Sequence, residues 1–430
     1  MSTISSVSTR PAASLSASTL RVLFLSSLGG MLEYYDFVIF VFFTPFISKL
    51  FFPASMPEWL RQFQTFGIFS AGYLARPIGG VLMAHFGDLR GRKKVFMLTV
   101  LLMAIPTFAI GILPTYQAIG AAAPLLLLAL RILQGMAVGG DLPGGCVFVA
   151  EHAKEKTGLA IGLFMAGPAS GAALGSLVTT IIEFKFLPEQ IIGGAWRLPF
   201  LLGGIFGFAA MFLRRYLAET PIFQEMKKRA VIAKEIPLRI IFRDHRAAIL
   251  PAVGSAWALS AIVIVVALMS PTVLVKMYHL PLRDVQLANV IGILGSSLGG
   301  ILVGAAVDRF GLRRLIAPIL LLSIGGIYLL YLGPGWMPSA LPLFSLVAGV
   351  GISALNMAPL AIVRAFPATV RFTGVSFTYN LASALAGGTT LLVVSWFSRS
   401  IPLFPAHYAV ALMLVGIVAM LLAPIARSEY

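Results

Sequence analysis

The sequence predicts an all-α polytopic membrane protein with twelve transmembrane helices in two six-helix halves. Three observations lead there. Hydrophobic residues make up 59% of the 430 and charged residues only 11%, where a soluble domain carries about 25% charged; a soluble fold of this length cannot hide so much apolar surface. Continuous apolar stretches of about 20 residues recur along the chain, each able to cross a hydrocarbon core, and they do not alternate like the strands of a membrane barrel. Finally, the longest polar segment, LAETPIFQEMKKRAVIAKEIPLRIIFRDHR, falls at mid-chain and divides the apolar runs into two sets.

With Pro, Gly and charged clusters as punctuation, the elements follow in order. Residues 1–20, rich in Ser, Thr and Ala, read as a disordered lead; the apolar run that follows is too long for a cleaved signal peptide. The first half (21–217) holds spans near 21–50, 62–87, 94–113, 121–151, 157–183 and 196–217. A central loop (218–246) precedes the second half (247–425), with spans near 247–276, 286–308, 313–333, 338–364, 371–398 and 405–425, and a tail at 426–430. Most of the 32 Lys and Arg lie in the lead, the central loop and the loops on their side. Positive loops stay inside, so both termini and the central loop are expected in the cytoplasm. The net charge of +16 then reflects topology and lipid headgroups rather than nucleic acid. Cys146, the single cysteine, sits in an apolar run and supports no disulfide framework.

Two loops repeat. HFGDLRGRKKVF (85–96) follows span two and GAAVDRFGLRRLI (304–316) follows span eight, each with Asp-x-x-Gly and then cations. Paired six-span halves are a transporter architecture, with the binding site near the midplane between them.

Charges inside spans cost roughly 2.5–3.5 kcal/mol each at a helix centre and need a reason. Glu33 and Asp36 share a face of span one, Arg76 lies on span two, and Arg131, Gln134 and Asp141 fall on one side of span four. Two close carboxylates in a low dielectric repel, so one is expected to hold a proton. Asp141 is a further candidate for the titrating group, or a counter-charge to Arg76. Arg76 and Arg131 can fork onto a substrate carboxylate. Tyr35 and Gln134 from the first half, and Trp257, Ser260, Asn356, Tyr379 and Asn380 from the second, are candidate polar contacts. The histidines have no metal-ligand spacing, and neither a P-loop nor a hydrolase motif occurs. No cofactor is expected, ATP is an unsuitable energy source, and a membrane-embedded enzyme or receptor lacks its chemistry here.

The chain resembles the major facilitator superfamily, and within it the metabolite:proton symporter branch of shikimate, citrate, 2-oxoglutarate and proline/betaine carriers. The matching pieces, in family order, are LEYYDF (32–37), ARPIGG (75–80), FGDLRGRKK (86–94), RILQG (131–135), GGDLPGG (139–145), VAEHA (149–153), WRLPFLLG (196–203), ETPIF (219–223) and FPATVRFTGVSFTYN (366–380). It departs at Leu89, where the family has Arg, and at Asp141, where Glu is usual. The resemblance implies a gate in which the Asp88 loop, with Arg90 and Arg92, meets Glu151 at the end of span four, with Asp308 and Arg309 as its counterpart. Likeness to the superfamily's proton-coupled sugar carriers implies Asp36 as proton site facing Arg131, with Glu33 next in line. The expected function is proton-coupled symport of a small organic acid across the inner membrane by a monomer, driven by the proton gradient. A zwitterionic osmolyte such as betaine or proline, or export of a drug- or siderophore-like compound, are the alternatives. The chain's end shortly after span twelve tilts the expectation towards an acid.

Overall fold

A computed structural model describes residues 16–229, 235–398 and 400–426. Most of the expected N-terminal lead and C-terminal tail, and part of the central loop, lie outside the described residues. Eleven described helices are long and apolar enough to cross a membrane: α1 (Ala17–Phe42), α2 (Glu58–Arg90), α3 (Arg92–Ile112), α4 (Ala122–His152), α5 (Thr157–Lys185), α6 (Arg197–Arg214), α7 (Arg246–Tyr278), α8 (Leu282–Phe310), α9 (Leu312–Leu332), α10 (Pro338–Ala365) and, after α11, α12 (Phe404–Leu422). The helix α11 (Arg371–Phe397) spans the bundle between α2 and α7 and completes the set of twelve.

The local chemistry sets the boundaries. Ser16 caps α1, its hydroxyl accepting from Thr19 N at 3.1 Å. The first span is shorter than its apolar run suggests. Pro45 cannot continue the α1 ladder, so the chain restarts as a separate helix, Thr44–Phe51, with the proline in its first turn. The central segment, expected as loop, carries two short helices, Pro221–Lys228 and Pro237–Asp244, each also opened by a proline. Helix α7 changes to π geometry over Ile264–Met269.

The helix pairings of the first half recur six helices on: α1–α5 with α7–α11, α2–α4 with α8–α10, and α3–α6 with α9–α12. The α2–α4 crossing is close because glycines line it. A Cβ on Gly79, Gly135 or Gly139 would run into the facing backbone, and one on Gly72 would press against it. Across the halves, α5 meets α8 and α2 meets α11. Gly158 faces Gly304, and Gly162 faces Gly300, with backbone against backbone.

The repeated loops share a mechanical reason. Each Asp-x-x-Gly ends a helix on a glycine of positive φ, Gly91 at +114° after α2 and Gly311 at +78° after α8. Only glycine takes that conformation without strain. Both loops lie at one end of the bundle, called here the basic end.

Candidate functional site

The basic end is closed by a buried charge network. Asp88, fully buried, accepts from the Phe372 and Thr373 amides at 3.3 and 2.9 Å and from the Thr373 hydroxyl at 2.8 Å. A carboxylate thus sits on the N-terminus of α11, where helix dipole and free N–H groups favour negative charge. Asp308 does the same for α5, accepting from Gly158 N and Leu159 N at 2.8 and 2.7 Å. The two repeat aspartates therefore each tie one half to the first turn of a helix in the other.

Around Asp88, Arg92 lies 3.3 Å from its carboxylate, 3.4 Å from Glu151, and donates to Ala368 O at 2.7 Å. Glu151 also meets Arg371 at 3.2 Å and accepts from the Thr220 hydroxyl at 2.6 Å. The loop cation in the network is thus Arg92. Arg90 instead lies over the Phe86 ring, and Arg309 over Phe310. Glu219 caps the start of α3, its carboxylate accepting from Arg92 N and Lys93 N. Arg371 and Glu219 fall inside the quoted stretches FPATVRFTGVSFTYN and ETPIF, yet sequence reasoning gave them no role.

Deeper in the first half, the structure pairs the acids differently from the sequence expectation. Glu33 and Asp141 converge on Arg214, whose Nη2 lies 2.8 Å from Glu33 and Nη1 2.7 Å from Asp141. Arg214 is fully buried, stacks on the Phe96 ring at 3.5 Å and donates to Phe96 O. Thr99 donates to Asp141 at 3.2 Å. Asp141 therefore neutralises Arg214 rather than Arg76. Arg214 escaped notice because it ends α6, where a cation reads as an ordinary positive-inside signal.

Asp36 and Arg131 are not in direct contact. Asp36 is fully buried against Gly203 and Gly207 of α6. Thr107 is the polar group beside it, but that hydroxyl donates to Met103 O and accepts from Gln134 Nε2. Both Asp36 oxygens are left without a hydrogen bond of ordinary geometry. Gln134 in turn accepts from Arg131 Nη1 at 2.8 Å, so a polar bridge, Arg131–Gln134–Thr107, replaces the expected pair. The Arg131 guanidinium rests among the rings of Phe40, Phe37 and Phe69.

Arg76 is the remaining buried cation of the first half among the described residues. It stacks over Tyr73 at 3.9 Å and Phe37 at 4.4 Å, and its Nε and Nη2 have no protein partner. Tyr34 and Tyr379 lie within electrostatic reach of it, bringing α1, α2 and α11 to one polar spot between the halves. Trp257 is partly buried with its indole N–H unpartnered. Three candidates are committed elsewhere. Tyr35 donates to Pro199 O at 3.0 Å, Asn380 donates to Gly139 O at 2.7 Å across the α4–α11 crossing, and Asn356 donates to Ser296 O at 3.4 Å. Ser260 meets Ser383 at 3.1 Å. Among the described residues no His, Cys, Asp and Glu group is placed to hold a metal.

The sequence model of the Major Facilitator Superfamily matches residues 26–387. The chain belongs to that superfamily. It is similar to the putative proline/betaine transporter of Staphylococcus aureus, 30% identical over 91% of this chain and 85% of that protein. It is also similar to the glycine betaine/proline/ectoine/pipecolic acid transporter OusA of Dickeya dadantii, 27% identical over 91% of this chain and 80% of that one. Its fold matches the proton:xylose symporter XylE with a TM-score of 0.77 at 17% identity, covering 95% of both chains. This superfamily member is a multi-pass membrane transporter, not an enzyme.

Proposed function

We propose that the chain carries a small zwitterion of the proline/betaine type together with protons, by alternating access across a bacterial inner membrane. The observation that carries this reading is Arg76, buried between the halves with two donors unpartnered among the described residues, stacked on the rings of Tyr73 and Phe37 and within electrostatic reach of Tyr34 and Tyr379. A guanidinium forks onto a carboxylate, and ring faces attract an onium group; a zwitterion offers both. The names of the relatives above point to the same solutes, and they favour this reading over the simple organic acid expected from the sequence.

Asp36 is the proton acceptor in this reading, its buried carboxylate without a hydrogen-bond partner and beside the Thr107 end of the Arg131–Gln134–Thr107 bridge. The basic end is the cytoplasmic one, by the positive-inside rule, so both termini are cytoplasmic and the described conformation is closed to the cytoplasm. The Asp88 and Asp308 ties then break when the carrier opens inward. A single chain supplies both halves of the pathway, so the unit is a monomer.

A simple organic acid is the second reading, favoured by the presence of two buried guanidinia, Arg76 and Arg131, without a carboxylate partner among the described residues. Charge separates the two. A zwitterion moving with one proton carries a net positive charge; a monocarboxylate moving with one proton carries none. In proteoliposomes, labelled betaine or proline should accumulate under an inside-negative potassium diffusion potential alone. Accumulation of shikimate or another acid under a pH gradient, with no response to potential, would transfer the assignment to the second reading. Loss of preloaded solute against an inward proton gradient would mark an exporter.

A further inference from the structure

We infer that Glu33 and Asp141, bridged by Arg214, form a second proton site of the carrier, distinct from Asp36 and one helical turn nearer the basic end. The inference deepens the proton-coupled reading above and rests on it for its role in transport. The geometry is a charge count. Two carboxylates, 5% exposed each, sit on the two Nη atoms of one fully buried guanidinium. The groups facing them from each packed helix are Asp36 from α1, Cys146 from α4, the Thr99 hydroxyl and Phe96 carbonyl from α3, and Arg214 from α6. No second cation is paired with either acid among the described residues.

One guanidinium balances one carboxylate. A second, unmatched anion at this depth costs several kcal/mol, and a proton shared by the pair removes that cost, as coupled carboxyl pairs do. Gly29 supports the arrangement, since any Cβ there would press on the Arg214 guanidinium. The neighbouring observation points to traffic rather than storage. Asp36 follows Glu33 by one turn on the same face of α1, fully buried and with both oxygens free. A proton arriving at Asp36 can pass on: its O–H bond breaks, an O–H bond forms on a Glu33 or Asp141 oxygen, and the negative charge moves to Asp36. There it lies beside Thr107, the near end of the Arg131–Gln134–Thr107 bridge.

Infrared difference spectroscopy on the full chain reconstituted in lipid tests the site without relying on transport. The protonated-carboxyl C=O stretch should show two titrating components. One is lost in Asp36→Asn; the other is lost alike in Glu33→Gln and in Asp141→Asn, since a single remaining acid is matched by Arg214. Arg214→Gln should strengthen the second component, and if one variant fails to fold the others read the same site. A second component that survives both Glu33→Gln and Asp141→Asn overturns the inference. In parallel, Glu33→Gln vesicles should lose pH-gradient-driven betaine accumulation down to the level of uncoupled wild-type vesicles. If wild type shows the second component but no gradient-driven accumulation, the coupling reading falls while the proton site stands.

Discussion

Neutralising Asp88 should open the basic end. In Asp88→Asn the shape is kept, but the charge on the N-terminus of α11 and the pairing with Arg92 are lost. Hydrogen bonds to a charged group are worth about 1.5–3 kcal/mol, against about 1 kcal/mol for neutral ones. An Asn keeps one acceptor oxygen, so at best the two Thr373 bonds survive as neutral ones and the Phe372 amide is left facing an NH2 group; the closed state should lose at least about 3 kcal/mol. At 1.4 kcal/mol per factor of ten, that moves the closed–open equilibrium about 150-fold. A basic end open in about one molecule in 100 would then be open in about six of ten. Spin labels at Glu155 and Arg313, both exposed at this end on opposite halves, report the change by pulsed electron resonance, with buried Cys146 replaced by Ser. The Asp88→Asn distance distribution should gain a longer component that Asp88→Glu lacks. A distribution identical to wild type would refute the idea that Asp88 holds the halves together.

Four further outcomes follow from the contacts described above. Asp308→Asn should open the same end by a smaller factor, because Asp308 accepts two amide bonds and pairs with no arginine among the described residues; the same label pair measures it. Gly304→Val places methyl groups against the Gly158 backbone, so it should keep the basic end from closing and abolish uptake while the protein still accumulates in the membrane. Arg76→Lys keeps the charge but not the fork, and should raise KM for betaine uptake by about tenfold or more. Tyr35→Phe, which loses only the bond to Pro199 O, should lower thermal stability by about 1 kcal/mol and leave uptake intact.

The spans were legible because the lipid core imposes them: eleven described apolar helices and α11 lie where the apolar runs fall. Their ends were less so, as at Pro45, where the apolar pattern continues across a backbone break. The repeated Asp-x-x-Gly loops were readable because a positive-φ glycine and a carboxylate on a helix N-terminus are both local demands. The pairing of charges deeper in was not. Helical spacing tells which residues of α1 share a face, but not which helix that face meets. Glu33 and Asp36 turn out to face α6, whose Arg214 reads in the sequence as a loop cation. Arg131, expected opposite Asp36, is instead hydrogen-bonded to Gln134, which donates to Thr107, a bridge that needs residues from two helices and stops short of Asp36. Asn380 and Tyr35 were drawn into the candidate set by polarity alone, and the structure spends both on helix crossings.

The central claim, that a solute and a proton cross together, is tested most directly by watching the proton. Proteoliposomes in a weakly buffered medium, with no gradient imposed, are given betaine while a pH electrode records the outside and label records uptake. The account predicts alkalinisation of the medium in step with betaine entering, abolished by an uncoupler and absent in Asp36→Asn. Labelled betaine entering at the wild-type rate with no change in external pH would contradict it.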